Sequence, residues 1–255
     1  SDVCSSDLAF GKTLAVSSQK QLNQALKTVK GKNAVITVKA GKNVKITIPK
    51  GTYKVTIRVV GKKAAVVNNG TVKEIVVNSK GTVAIKNNGT IKKVTVQNAK
   101  SVSFSGKHKK AVPVVVNAED VSMILAAPAK ITAKKDVNIV LKKGAEKSSI
   151  TCTKNVQAQV DNQTKKAISV KIADGTTLKV ESGESCTITP KGKKEDTSGE
   201  DKTDEKDKTD GKDQKTDDTS DGNASSGSSS SGNSSGGTTV ETPSKLTEAD
   251  LLKQG

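Results

Sequence analysis

Few groups in this chain can do chemistry, and most stand without a partner at usable spacing. The one histidine, His108, lies in the run Gly106-Lys107-His108-Lys109-Lys110. A catalytic triad or a metal site needs further ligands or proton carriers beside it. None accompanies His108, which is read as part of a solvated corner loop. Cys152 and Cys186 each take an apolar place in an alternating segment. That suits small buried side chains; a disulfide is the alternative, which spacing alone does not settle. The spacing with chemical content is among the lysines: Lys54, Lys73 and Lys92 recur at intervals of 19 residues. Such a ladder has two readings. It keeps an elongated molecule soluble, or it is a basic strip for an anionic polymer. No catalytic, cofactor-binding or metal-binding residue is read from the chain.

The elements that carry these residues repeat with the same interval. Gly51, Gly70 and Gly89 open blocks that read GTYKVTIRVV, GTVKEIVVN and GTIKKVTVQN, and Asn68-Asn69 recurs as Asn87-Asn88. Identity at equal offsets is the mark of stacked units, each ~4.8 Å above the last. Within a block the apolar period is two: Val55, Ile57 and Val59; Ile75 and Val77; Val83 and Ile85; Val94 and Val96; Val102 and Phe104. Short alternating runs broken by Gly, Asn and Lys are half-buried strands joined by tight corners. Gly and Asn are expected to supply positive-φ corners, and the Asn pairs to form amide ladders between coils. The apolar phase slips by one residue between the first two blocks, which calls for a bulge.

The fold expected is therefore all-β: a parallel β-helix, or β-solenoid, over residues 32–191, with coils of about 19 residues. The downstream coils depart from that interval through variable corner loops. A capping helix in 9–31 covers the first coil: Ser18 and Gln21 form a capping box, Leu22, Ala25, Leu26 and Val29 share one face, and Gly31 ends the helix. Phe10, Tyr53 and Phe104 are the only aromatics, consistent with a narrow interior of aliphatic side chains.

The two ends are different in kind. Ser1–Leu8, SDVCSSDL, read as the conceptual translation of a common sequencing adapter, so residues 1–8, Cys4 included, are set aside as non-native and the genuine N-terminus is expected upstream. From Phe10 to Lys191 there are 33 lysines and one arginine against nine acidic residues, a net +25, whereas Gly192–Gly255 carries −6. Residues 192–243 are a Lys/Asp/Ser/Gly linker without large apolar runs, expected to be disordered. Residues 244–255 hold a helix start, with Thr247 as N-cap and a staple of Leu246 and Leu251, as though a further domain followed. No run reaches the ~18 apolar residues of a membrane span.

The stretch from SQKQLNQALKTVKGKNAVITV through KNVKITIPKGTYKVTIRV to the NNGT blocks resembles the secreted, Lys-rich β-helix proteins of Gram-positive anaerobic bacteria. The turn Ile48-Pro49-Lys50-Gly51-Thr52-Tyr53 also resembles the opening of pectin-lyase-like β-helices. These resemblances imply a right-handed coil, an extracellular or cell-surface location and, for the anaerobe proteins, no assigned activity. The pectin-lyase pattern implies an alternative, a carbohydrate-active enzyme with clustered carboxylates for Ca²⁺ and an arginine base. The residues supply it poorly: Arg58 is the sole arginine, Glu74 meets Lys93 one coil on, and Glu119-Asp120 lack stacked acids. Nucleic acid is not expected as a partner, since one arginine and three aromatics leave neither base readout nor stacking platforms. The function expected is a non-enzymatic structural or adhesive solenoid, with Lys54, Lys73 and Lys92 as the candidate contacts to an anionic cell-wall polymer or polysaccharide.

Overall fold

A computed structural model describes residues 12–39 and 43–192, and the backbone of a short strand at 194–196. All lie within the unit Ser1–Lys202. The segment 1–8, most of the linker, the helix start at 244–255 and the unit Thr203–Gly255 lie outside the described residues. In chain order the elements are β1 (Lys12–Val16), α1 (Gln19–Thr28), β2 (Ala34–Val38), β3 (Val44–Ile48), β4 (Thr52–Val59), β5 (Lys63–Asn68), β6 (Thr71–Asn78), β7 (Thr82–Asn87), β8 (Thr90–Ile91), β9 (Val94–Asn98), β10 (Ser101–Ser105), β11 (Val112–Val116), β12 (Val121–Leu125), β13 (Ala129–Ala133), β14 (Val137–Leu141), β15 (Ser149–Cys152), β16 (Ala158–Asn162), β17 (Ile168–Lys171), β18 (Thr177–Val180), β19 (Ser185–Ile188) and β20 (Lys194–Asp196).

Each turn of the chain gives one strand to each of two facing sheets. The first runs β1-β2-β4-β6-β9-β11-β13-β15-β17-β18, with β8 also on β6; the second runs β3-β5-β7-β10-β12-β14-β16-β19-β20. From β1 to β17 and from β3 to β16 every pairing is parallel. The described residues thus form a parallel β-solenoid of about eight turns. The coil length is 19 residues from Lys63 to Thr82 and from Thr82 to Ser101, then varies from 16 (Val121 to Val137) to 21 (Val137 to Ala158). The expected bulge falls between Tyr53 and Thr56, where β4 carries one more residue than β6.

Alternate residues of each strand point inward, so Val55, Ile57 and Val59 stack under Ile75 and Val77, all fully buried. Phe104 is the largest wholly buried side chain. Each fully buried aliphatic residue contributes ~1.5–3 kcal/mol relative to exposure, and here that gain accrues coil by coil.

The corners meet the expectation for glycine at several positions, Gly51, Gly106 and Gly144 among them, and not for the two asparagine pairs. Asn68, Asn69, Asn87 and Asn88 do not take positive φ; among the described non-glycine residues only Asp120 and Asn155 do. Gly51 has φ of 146°, but Gly70 and Gly89 recur because coils touch there. The amide of Thr90 donates to the Gly70 carbonyl at 2.9 Å, and a Cβ on Gly89 would stand 2.1 Å from that oxygen. The glycine column is a line of close backbone approach.

Both ends also depart from a bare stack. The capping segment opens with a strand: β1 pairs in parallel with β2 and adds one layer before α1. The helix is capped by Ser18, whose hydroxyl accepts from the Gln21 amide at 3.2 Å. Gln21 does not close the box on Ser18; its Oε1 accepts from the Ser17 amide at 2.7 Å. Leu22, Ala25, Leu26 and Val29 are buried, and Gly31 takes φ of 75°. Gln19 completes the cap by pairing its side-chain amide with the open edge of β3: Oε1 accepts from Thr47 N–H at 2.7 Å and Nε2 donates to Thr47 O at 2.8 Å. At the other end the chain reverses. β18 pairs antiparallel with β17, β19 with β16, and β20 with β19. The last strand takes residues that composition alone had assigned to the linker.

Candidate functional site

The lysine ladder lies on the first sheet, at the bulge. Register runs Tyr53 to Val72 and then Thr56 to Glu74, so Lys54 and Val55 together face the single residue Lys73. Thr71 pairs with Thr90 and Val72 with Ile91, and the Lys92 amide donates to Val72 O at 3.2 Å. Lys92 is therefore the neighbour of Lys73 one coil on. All three lysines are exposed, and together they line one depression of about 380 Å³ with Asn33, Thr52, Tyr53 and Thr71. Among the described residues no carboxylate lines it. The nearest acid in the strand, Glu74, is turned to other partners: it accepts from Thr95 Oγ1 at 2.6 Å and lies 4.0 Å from Lys93 Nζ. Exposed amines one coil apart repel only weakly, because long solvated stems let the charges diverge.

Tyr53 forms one wall of this depression. Its ring is half-buried against the core, its hydroxyl donates to Lys50 O at 3.1 Å, and it lies over the Gly51 and Gly70 corner, where added Cβ atoms would meet the ring. A Cβ on Gly51 would stand 2.7 Å from the Tyr53 hydroxyl, whereas one on Gly70 would first meet the Pro49 and Gly51 carbonyls, at 2.5 and 2.8 Å, and then the ring at 3.1 Å.

The Asn ladder is present. Asn68 Nδ2 donates to Asn87 Oδ1 at 2.9 Å, and Asn88 Nδ2 donates to Asn69 Oδ1 at 3.0 Å. It ends at Asn87, whose buried Nδ2 has no partner. The next coil carries Gly106 there, with φ of 130°, close enough to Asn87 that a Cβ would clash with its carbonyl.

His108 departs from the expectation of a solvated loop. It is half-buried, its Nδ1 3.0 Å from Asn87 O and its Nε2 2.9 Å from Pro128 O, with the ring 5.1 Å from that of Phe104. The turn at Gly106 folds the ring back between coils, so His108 pins the loop and leaves Lys109 and Lys110 exposed on a depression of about 570 Å³ that also includes Lys92. The signal in the sequence was Phe104 four residues upstream of His108, together with the break in the Asn repeat.

The other candidates are dispersed. Arg58 faces Thr37 and Val76 along the first sheet. Glu119 pairs with Lys135 at 3.0 Å, and Asp120 is an exposed turn residue. Cys152 and Cys186 are buried thiols on different sheets, without a disulfide. Burial, and secondarily the charge of Asp136, pushes the Cys152 thiol up to about 11. Among the described residues no group of three or more His, Cys, Asp or Glu side chains is placed to hold a metal ion, and no helix is long and apolar enough to cross a membrane.

Fold and site together define a parallel β-solenoid with a lysine-lined depression on one face. Comparison with protein-family models, with curated proteins and with solved structures found no match to this chain.

Proposed function

We propose that this chain is a non-enzymatic structural or adhesive solenoid of the cell exterior that holds an anionic cell-wall polymer or polysaccharide against Lys54, Lys73 and Lys92. The observation that supports the reading most is the convergence of the three lysines on one depression that no carboxylate among the described residues lines. A polymer with a charge on each unit meets a new amine at each coil, every ~4.8 Å. Single exposed contacts are weak, about 0.2–1 kcal/mol each, so retention depends on several being made at once.

The test compares the full chain with the triple variant Lys54→Gln, Lys73→Gln, Lys92→Gln on teichoic-acid and polyuronate matrices. The side chains are exposed, so the circular-dichroism spectrum and melting curve should be nearly unchanged. Retention should fall, and wild-type retention should weaken with added salt as screening sets in beyond ~8 Å at physiological ionic strength. Equal retention of the triple variant would remove the ladder as a binding site.

A further inference from the structure

Three depressions are linked in series by the residues that line them. The one holding the ladder shares Thr52 and Tyr53 with a depression of about 540 Å³ beside the cap helix, which Lys27, Lys30 and Lys50 line. At its other end it shares Lys92 with the depression that carries Lys109 and Lys110. Among the described residues no Asp or Glu lines any of the three. The line they make follows the coil stack, because the lysines Lys50, Lys73, Lys92 and Lys109 belong to four successive coils.

We infer that these depressions form one groove, and that it takes a linear acidic polysaccharide lying lengthwise along the solenoid axis across four coils. The inference rests on the reading of the ladder as an anionic-polymer site and extends it in length, direction and ligand class. Charge supplies the first argument: amines come from the helix and the turns beside it, from the ladder and from the pinned loop, while Glu74, next to Lys73 in the strand, is held by Thr95. Shape supplies the second, since the groove crosses strands and a ligand along it meets a new lysine at each ~4.8 Å step. The third is the apolar surface between the charges. Pro49 and Pro113 are exposed toward the two ends, and the Tyr53 ring forms the wall at one joint. Sugar rings have apolar C–H faces to lay on such surfaces, and an inorganic polyanion has none. His108 anchors the loop end, because its ring lies between the Asn87 and Pro128 carbonyls, 3.0 and 2.9 Å from its two nitrogens, and a ring N–H donates to one of them.

The test measures binding of oligomannuronates of increasing length to the full chain by calorimetry, beside polyphosphate of matched length. Affinity should climb with oligomer length until four coils, ~4.8 Å each, are spanned, and then level off. Two end variants follow, Lys27→Gln with Lys30→Gln and Lys50→Gln, and Lys109→Gln with Lys110→Gln. Each should weaken a spanning oligomer about tenfold and leave the shortest bound oligomer unaffected. If the ladder triple variant loses binding while both end variants keep wild-type affinity, the groove is wrong and the ladder site stands. If neither ladder nor end variants lose affinity, or if wild-type chain binds no oligomer or polymer, both readings fall. A flat length dependence in the wild-type chain overturns the groove without recourse to any variant. Equal affinity for polyphosphate overturns the saccharide assignment.

Discussion

Asn68 and Asn87 have the same residue type, the same burial and different worth. Asn68 Nδ2 donates to Gly70 O, Asn87 Oδ1 and Thr90 O, while its Oδ1 accepts from the Gly70 amide. Asn87 offers its Oδ1 to Asn68 and leaves its own Nδ2 orphaned. Losing a satisfied buried amide strands its partners, at about 1–3 kcal/mol; losing Asn87 also removes an unsatisfied donor. Asn68→Ala should therefore destabilise the solenoid by about 1–3 kcal/mol and Asn87→Ala by clearly less, as read by chemical denaturation. A second residue-scale test uses Cys152. Its thiol is shifted up from 9.0 to about 11, so the unfolded chain ionises first as pH rises. The stability due to keeping this thiol neutral is complete below about pH 9 and drains away as pH rises toward 11. The wild-type advantage over Cys152→Ala should shrink across that window. A constant difference would show that Cys152 titrates alike in both states.

At the scale of elements, the vulnerable parts of a parallel stack are its two end layers, since a strand with an open edge is a template for another chain. Gln19 meets this need on the second sheet by imitating a strand with its amide, and Gln19→Ala should free the Thr47 edge. We expect a loss of about 1–2 kcal/mol and an increase in concentration-dependent self-association, measured by melting and by sedimentation; a variant that melts and sediments as wild type would refute the capping role. The central coils could be read directly from the sequence because Gly51, Gly70 and Gly89 keep one interval and their apolar residues keep period two. The ends could not. β1 reads KTLAV, in which only Val16 is buried, so its alternation is faint. Alternation is also blind to strand direction: Leu178 and Val180 suit a parallel coil as well as the hairpin they form. Asp174-Gly175, between β17 and β18, was the missed turn signal, with Gly175 at φ of 93°.

Across the whole described solenoid, each layer bonds only to its neighbours, so stability is close to a sum of local terms. That is also why the candidate site is half legible in the sequence. Lys54, Lys73 and Lys92 share an offset in consecutive repeats, and a shared offset becomes a shared face. Lys27, Lys30 and Lys50 join them from a helix and a turn outside the repeat, and Lys109 and Lys110 from a loop that breaks it; no periodic rule connects such positions. Tyr53 was seen as part of a turn, but its lie over Gly51 and Gly70 depends on how two coils meet. The chain has this single tyrosine and no tryptophan. Its only strong near-ultraviolet fluorophore is consequently mounted in the wall between two of the three depressions, against Lys54 on one side and Lys50 on the other. The molecule thus holds an unlabelled optical gauge at the place where a ligand would sit: occupancy should register as a change in tyrosine emission and as protection of that emission from iodide quenching.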